Sequence, residues 1–153
     1  IPHKPAEDEK LPSVHLALIP KSSGVEISEE QREEWKLLMD LRDSALGQLD
    51  ALKKQVGLNK AIDAEIVYQI DDDKMRQKLQ SYGPDLEDLV GAGHHTFAEK
   101  RPESPAVTVK ILDRRDTYKA CARSWKRRPD VGEDPEYPDL TLRDAAAVKS
   151  FKR

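Results

Sequence analysis

Cys121 and Ser124 stand three positions apart, and beyond sixteen intervening residues Thr141 and Asp144 stand three apart again. The pattern is C-x2-C-x16-C-x2-C with one cysteine surviving, inside the spacing at which four thiolates close on a zinc ion. Zinc needs deprotonated sulfur or imidazole converging from sharp turns, and the hydroxyls of Ser and Thr do not supply that at neutral pH. The spacing is that of a metal site, the donors are not, and the expectation is that zinc is lost. A small apolar cluster of Tyr118, Val131, Tyr137, Leu140, Leu142 and Val148, with a bond from Asp144 to Arg123 or Arg127, is expected to hold the turns instead.

The same stretch carries the chain's charge anomaly. Residues 114–128 hold seven basic side chains (Arg114, Arg115, Lys119, Arg123, Lys126, Arg127, Arg128) against one acid, Asp116, in a chain of net charge −3. A basic island on an acidic chain is the footprint of a local polyanion site, or else a solvated turn. Tyr118 and Trp125 lie within it, and rings and guanidinium planes both stack on unpaired bases, which favours nucleic acid.

Three other groups invite a metal assignment and are read otherwise. Asp71, Asp72 and Asp73 lack the D-x-D-x-D-G loop and distant Glu of a calcium site and fit an acidic helix start. His94 and His95, adjacent on an expected strand, should face opposite ways. His15, beside apolar residues, is expected to pack.

The elements that must position these residues are legible from their periods. Residues 1–27 are punctuated by Pro2, Pro5, Pro12 and Pro20 and read as an extended linker. Ser28 and Gln31 make a capping-box pattern ahead of Trp35, Leu38, Leu41, Ala45, Leu49, Leu52 and Val56, which recur at helical spacing until Gly57. The helix should run from about Glu29 to Gln55. Alternation predicts a strand over Ala64–Ile70, followed by helices over Asp73–Ser81 and Leu86–Val90 and strands over Thr96–Glu99 and Ala106–Leu112. The fold class is α+β: a long amphipathic helix, a small helix and strand unit, then a zinc-ribbon-like module lacking its zinc ligands.

A single Cys excludes a disulfide within the chain, and no run of about eighteen apolar residues is present to span a membrane. The chain begins Ile-Pro-His without an initiator Met or a signal-peptide pattern, and reads as a piece of something longer.

The words around the ligand positions are more specific than their spacing. The run Cys121-Ala122-Arg123-Ser124-Trp125, the triplet Asp130-Val131-Gly132, the Pro138-Asp139-Leu140 step and Arg143 resemble the C-terminal zinc module of bacterial isoleucyl-tRNA synthetases, roughly C-x-R-C-W, DVG, C-x-R-C. Ser13 to Ala17, the Trp35 to Asp43 string and Leu58 to Ile66 resemble the segments preceding that module. The resemblance implies residues 1–27 as a linker from an upstream domain, 28–57 as the last helix of an anticodon-binding domain, 58–116 as an α+β subdomain and 117–153 as the module that contacts tRNA.

It further implies that Trp125 stacks on an anticodon base, that Arg123 bonds a base edge or phosphate, and that Lys126, Arg127 and Arg128 hold backbone phosphates. Arg42 would face tRNA or pair with a neighbouring acid. The implied partners are the anticodon loop of tRNA(Ile) and the upstream catalytic and anticodon-binding domains, in the cytoplasm. ATP and magnesium would serve the parent enzyme only, because HIGH, KMSKS, G-x-x-x-x-G-K-[ST] and G-x-S-x-G are all absent here. Two other readings remain: a protein-interaction or structural appendage that has lost RNA contact with its zinc, and the finger of a DNA glycosylase, which a helix-turn-helix normally precedes.

Overall fold

The computed structural model describes residues 24, 26–99 and 107–151. The Ser13–Ala17 segment with His15, almost all of the expected linker, and Ala106 lie outside them. The chain divides into two units, residues 1–33 and 34–153. In the first, the capping box forms as its sequence demands: Ser28 N donates to Gln31 Oε1 at 2.9 Å, and Gln31 N donates to Ser28 Oγ at 3.2 Å.

Helix α1 runs over Glu29–Val56. Gly57 ends it at φ +67°, its N–H returning to Lys53 O at 3.1 Å while Leu58 N reaches back to Leu52 O at 3.5 Å. This left-handed stop is the geometry for which glycine is favoured. Leu38, Leu41 and Ala45 are buried along the stripe, but Trp35 and Val56 at its ends are more than half exposed. The stripe is longer than the surface that covers it.

That surface is a three-stranded sheet in the order β2-β1-β3, with β1 at Ala64–Gln69, β2 at His94–Phe97 and β3 at Thr108–Asp113. β1 pairs antiparallel with β3, Ile66 opposite Ile111, and parallel with β2, Ile66 opposite His95. Parallel pairing needs a long crossover. Helices α2 (Asp73–Ser81) and α3 (Asp85–Asp88) supply it. Asp72 caps α2 by accepting from Met75 N at 2.7 Å, the helix-start role expected of the aspartate run. Gln48 of α1 donates to Val109 O at 2.7 Å and accepts from Ile111 N at 3.0 Å, which fixes the helix in register on β3. Leu38, Leu41, Ala45, Ile66, Tyr68, Ile70, Leu79 and Leu86 make the core between them.

Two features depart from expectation. β1 is buried on both faces rather than one, and Glu65 within it is only 2% exposed. The C-terminal residues end in a helix that no sequence signal was read to give, α4 at Leu142–Phe151. Thr141 starts it as a cap, its Oγ1 accepting from Asp144 N at 3.1 Å.

Residues 114–131 close against the sheet through the 3-10 turn Ala61–Asp63 and Gly93. Arg127 N donates to Ile62 O at 3.1 Å and Arg114 N to Asp63 O at 3.0 Å. A Cβ on Gly93 would run into Ile62 O and stand 2.9 Å from Arg127 O, whereas one on Gly47, in α1, meets nothing within 4 Å. Gly93→Ala is therefore expected to lower the urea midpoint of unfolding. Gly47→Ala should raise it, by about 0.5–1 kcal/mol of stability, from helix propensity alone.

Candidate functional site

The four positions with ligand spacing do come together. Asp144 Oδ2 accepts from Cys121 Sγ at 3.1 Å and from Thr141 Oγ1 at 3.0 Å, while the Ser124 hydroxyl is buried without a hydrogen-bond partner among the described residues. Burial pushes the Asp144 carboxyl up, but the bonds from Cys121 and Thr141, together with the charge of Arg123, outweigh it and hold the group below its usual range. One carboxylate thus does the converging, with two protic side chains, Cys121 and Thr141, bonded to it. These donors do not fit zinc: a lone thiol and a lone carboxylate already hydrogen-bonded to each other leave two hydroxyls as the remaining ligands. Among the described residues no group of three or more His, Cys, Asp and Glu gathers to hold a metal.

Around this knot Cys121, Val131, Leu140 and Ala145 are buried, with Tyr137 and Val148 against them. The expected cluster is corrected at two members. Leu142, the first residue of α4, is 45% exposed. Tyr118 lies elsewhere, its hydroxyl donating to Glu65 Oε2 at 3.2 Å and its ring 5.0 Å from the Arg114 guanidinium. The expected bond from Asp144 to an arginine is replaced by the two protic donors Cys121 and Thr141.

A tight hairpin carries the exposed residues. Ala120 bridges to Arg127, Cys121 N donates to Lys126 O at 3.0 Å, and Trp125 N donates to Cys121 O at 2.9 Å. These bonds hold Trp125 at φ +60°, the one non-glycine residue in the left-handed region among those described. For a bulky side chain that conformation costs on the order of 1–3 kcal/mol. Yet the indole is 69% exposed, so no packing of its own offsets the strain.

Arg123, beside it, is also exposed, as are Lys119 and Arg143. The rest of the island is committed to the protein's own acids. Lys126 Nζ lies 3.2 Å from Glu87 Oε2 and 2.8 Å from Asp88 Oδ1. Arg127 Nε meets Asp63 Oδ1 at 2.7 Å, and its Nη1 donates to the carbonyls of Arg115 and Tyr118. Arg128 Nη1 bonds both oxygens of Glu87, at 2.7 and 2.8 Å, and its Nε reaches Asp130 at 3.0 Å. Arg114 Nε meets Glu65 at 2.6 Å, and Arg115 pairs with Asp113 at 2.7 Å. Arg42, on α1, pairs with its neighbour Asp43 at 3.3 Å.

Glu87 is the centre of this network. It is 2% exposed and also draws in His95 Nδ1 at 3.0 Å and His94 Nδ1 at 3.7 Å. The two histidines therefore turn to one carboxylate, against the expectation that strand alternation would part them, because β2 is an edge strand beside α3, whose buried acid must be satisfied. Burial works to raise the Glu87 carboxyl, but the approach of His94, the bond from His95 and the charges of Arg128 and Lys126 pull it far below its ordinary value. Glu65 behaves alike: burial opposes ionisation, and Thr96, Arg114 and Tyr118 more than compensate.

No family model matches the chain. Curated relatives do. The isoleucine–tRNA ligase of Bradyrhizobium diazoefficiens is 29% identical over 147 residues, covering 92% of this chain. The chain matches one part of isoleucine–tRNA ligase. The enzyme of that name from Bacillus mycoides is 28% identical over 153 residues, 97% of the chain, and that of Petrotoga mobilis 27% over 143. The chain spans 14–16% of the length of these ligases. No helix among the described residues is long and apolar enough to cross a membrane.

A depressed carboxyl stabilises the fold above its unfolded pKa and loses that contribution as pH falls toward the folded value. Glu87 and Glu65, both with an ordinary value of 4.5, therefore predict stability that is flat from pH 7 to about 5 and falls steeply below 4.5. Glu87→Gln removes the buried charge that Lys126 and Arg128 share, leaving them Asp88 and Asp130, and is expected to cost about 3 kcal/mol at pH 7. The variant's urea midpoint should also depend less on pH below 4.5 than the parent's.

Proposed function

We propose that this chain is the C-terminal, tRNA-contacting part of an isoleucine–tRNA ligase, a cytoplasmic enzyme that joins isoleucine to tRNA(Ile) with ATP and magnesium bound elsewhere in the protein. These residues carry no catalytic group of that reaction; their partners are the anticodon loop and the upstream domains. The observation that carries the reading is Trp125: a strained, exposed indole at the tip of a hairpin, in a segment similar to isoleucine–tRNA ligases. Strain retained at an exposed aromatic residue is accounted for by a ligand that stacks on it.

In this reading Trp125 stacks on an unpaired base and Arg123 bonds its edge or a phosphate, with Lys119 and Arg143 exposed nearby in sequence as further phosphate partners. Lys126, Arg127 and Arg128, already paired with carboxylates, position the hairpin. Arg42, paired with exposed Asp43, is available to RNA. The module at 117–153 is a zinc-ribbon type in which the Asp144 knot takes the place of the metal. The internal pairing of most of the island supports a second reading, a structural arm that no longer touches RNA.

The two separate on binding to isoleucine tRNA and to a tRNA with exchanged anticodon at two salt concentrations. Anticodon-dependent, salt-sensitive binding that Trp125→Ala weakens by about 5- to 100-fold is expected, the worth of one stacked base. Equal binding of both tRNAs, unaffected by Trp125→Ala, would establish the structural arm. The ribbon reading has its own check. Ser124→Cys, Thr141→Cys and Asp144→Cys together should bind one equivalent of zinc and raise the melting temperature with it, and a triple variant indifferent to zinc refutes the ribbon reading.

A further inference from the structure

The basic island does not reach solvent as a basic surface. Lys126, next in the chain to the exposed Trp125, is turned inward: its side chain is 18% exposed, with Nζ 3.2 Å from Glu87 Oε2 and 2.8 Å from Asp88 Oδ1. Arg128 gives Nη1 to both oxygens of Glu87 and Nε to Asp130. Two cations thus face three carboxylates, and the patch is net negative where the sequence alone suggests a positive one. Of the seven cations in residues 114–128, Lys119 and Arg123 are the two that are exposed with no ion pair among the described residues.

The two grips on Lys126 differ in kind. Glu87 is 2% exposed, so a phosphate that drew Lys126 or Arg128 away would leave a buried carboxylate short of counter-charge, the costly way to break a buried pair. Burial works to raise the Glu87 carboxyl, yet the histidines and these two cations hold it far below its ordinary value, so it stays a counter-charge throughout the neutral range. Asp88 lies at the rim with its side chain 64% exposed, and an exposed pair is worth little. Glu87 sets the hold on the two cations, and Asp88 adjusts it.

Cations that neutralise phosphates supply the part of RNA affinity that ignores sequence, while contacts to bases supply the part that reads it. A hairpin with all seven cations free would hold any single strand. One with most of them engaged at home depends on contacts that distinguish one RNA from another.

We propose that Glu87 is a specificity-determining residue: it withholds Lys126 and Arg128 from phosphate and so limits the hairpin's affinity for RNA of arbitrary sequence. The proposal rests on the reading of the chain as a tRNA-contacting part. It gives the ion-pair network a role besides stability, in which a buried acid that touches no RNA decides how much unspecific RNA the hairpin accepts.

The test measures binding of the 153-residue chain to oligouridine, to isoleucine tRNA and to a tRNA with exchanged anticodon across a range of salt. Single-strand affinity falls with about the 0.7 power of salt for each phosphate neutralised. The parent's logarithmic slope on oligouridine is expected near 2, the worth of Lys119, Arg123 and Arg143, whereas all seven island cations engaged would give about 5. Glu87→Gln should tighten oligouridine binding about fivefold at about 0.1 M salt, steepen the slope by about 0.7–1.4 and narrow the preference for isoleucine tRNA. A merely structural role predicts the reverse, since a loosened hairpin binds every RNA more weakly. Because Glu87→Gln costs stability, Asp88→Asn accompanies it. This rim variant keeps the buried acid, should leave the melting temperature unchanged, and should move affinity and slope the same way by less. A parent slope near 5 overturns the withholding and spares the RNA reading, as does tRNA binding accompanied by oligouridine binding that neither variant tightens. Absence of binding to oligouridine and tRNA alike, in parent and variants, overturns both.

Discussion

Two buried carboxylates on the α+β unit, those of Glu65 and Glu87, are held ionised against their burial in large part by cations that one later segment brings to them. An isolated carboxylate in such a place costs several kcal/mol, and its pairing repays this only when the geometry is good and the remaining lone pairs are filled. Both conditions hold at Glu87, where two cations and two imidazoles surround one acid. The hairpin and the sheet are therefore interdependent. Without the segment from Arg114 to Arg128 the sheet would carry uncompensated charge, and without those acids the hairpin would have little to lie against.

The interlock also explains how so small a module can be ordered. Its apolar centre is four buried residues, far too little to fold by itself. The Asp144 knot closes the two turns on each other from within, and the ion pairs hold them from outside. Asp144 serves twice, since it sits in the first turn of α4, where the helix dipole favours negative charge. In a zinc ribbon one ion converges four ligands; here one carboxylate ties together Cys121 and Thr141, one from each turn.

What the sequence made legible was local. The helical stripe of α1, the alternation of β1, the Ser28 and Gln31 box and the aspartate run before α2 are patterns within a few residues, and each element lies within a few residues of where its pattern places it. The destination of the basic island was not legible, because its counter-charges lie far off in the chain: Arg127 and Asp63 are 64 apart, Arg114 and Glu65 49 apart. Helix α4 was legible and misassigned. Thr141-x-x-Asp144 ahead of Ala145-Ala146-Ala147-Val148 is a capping pattern before a helical run. Its three-residue step is also that of a paired metal ligand, so the same letters supported two meanings, and the metal reading hid the helix.

In the proposed reading, Trp125 sets folding and recognition against each other at one position. Glycine or asparagine would occupy φ +60° more comfortably. Without a reason to present an indole there, mutation would drift toward those residues, because relief of backbone strain is a gain with nothing to oppose it. In that reading the indole is held at a cost because it is used, and a glycine in its place would relax the hairpin and leave it without a stacking face.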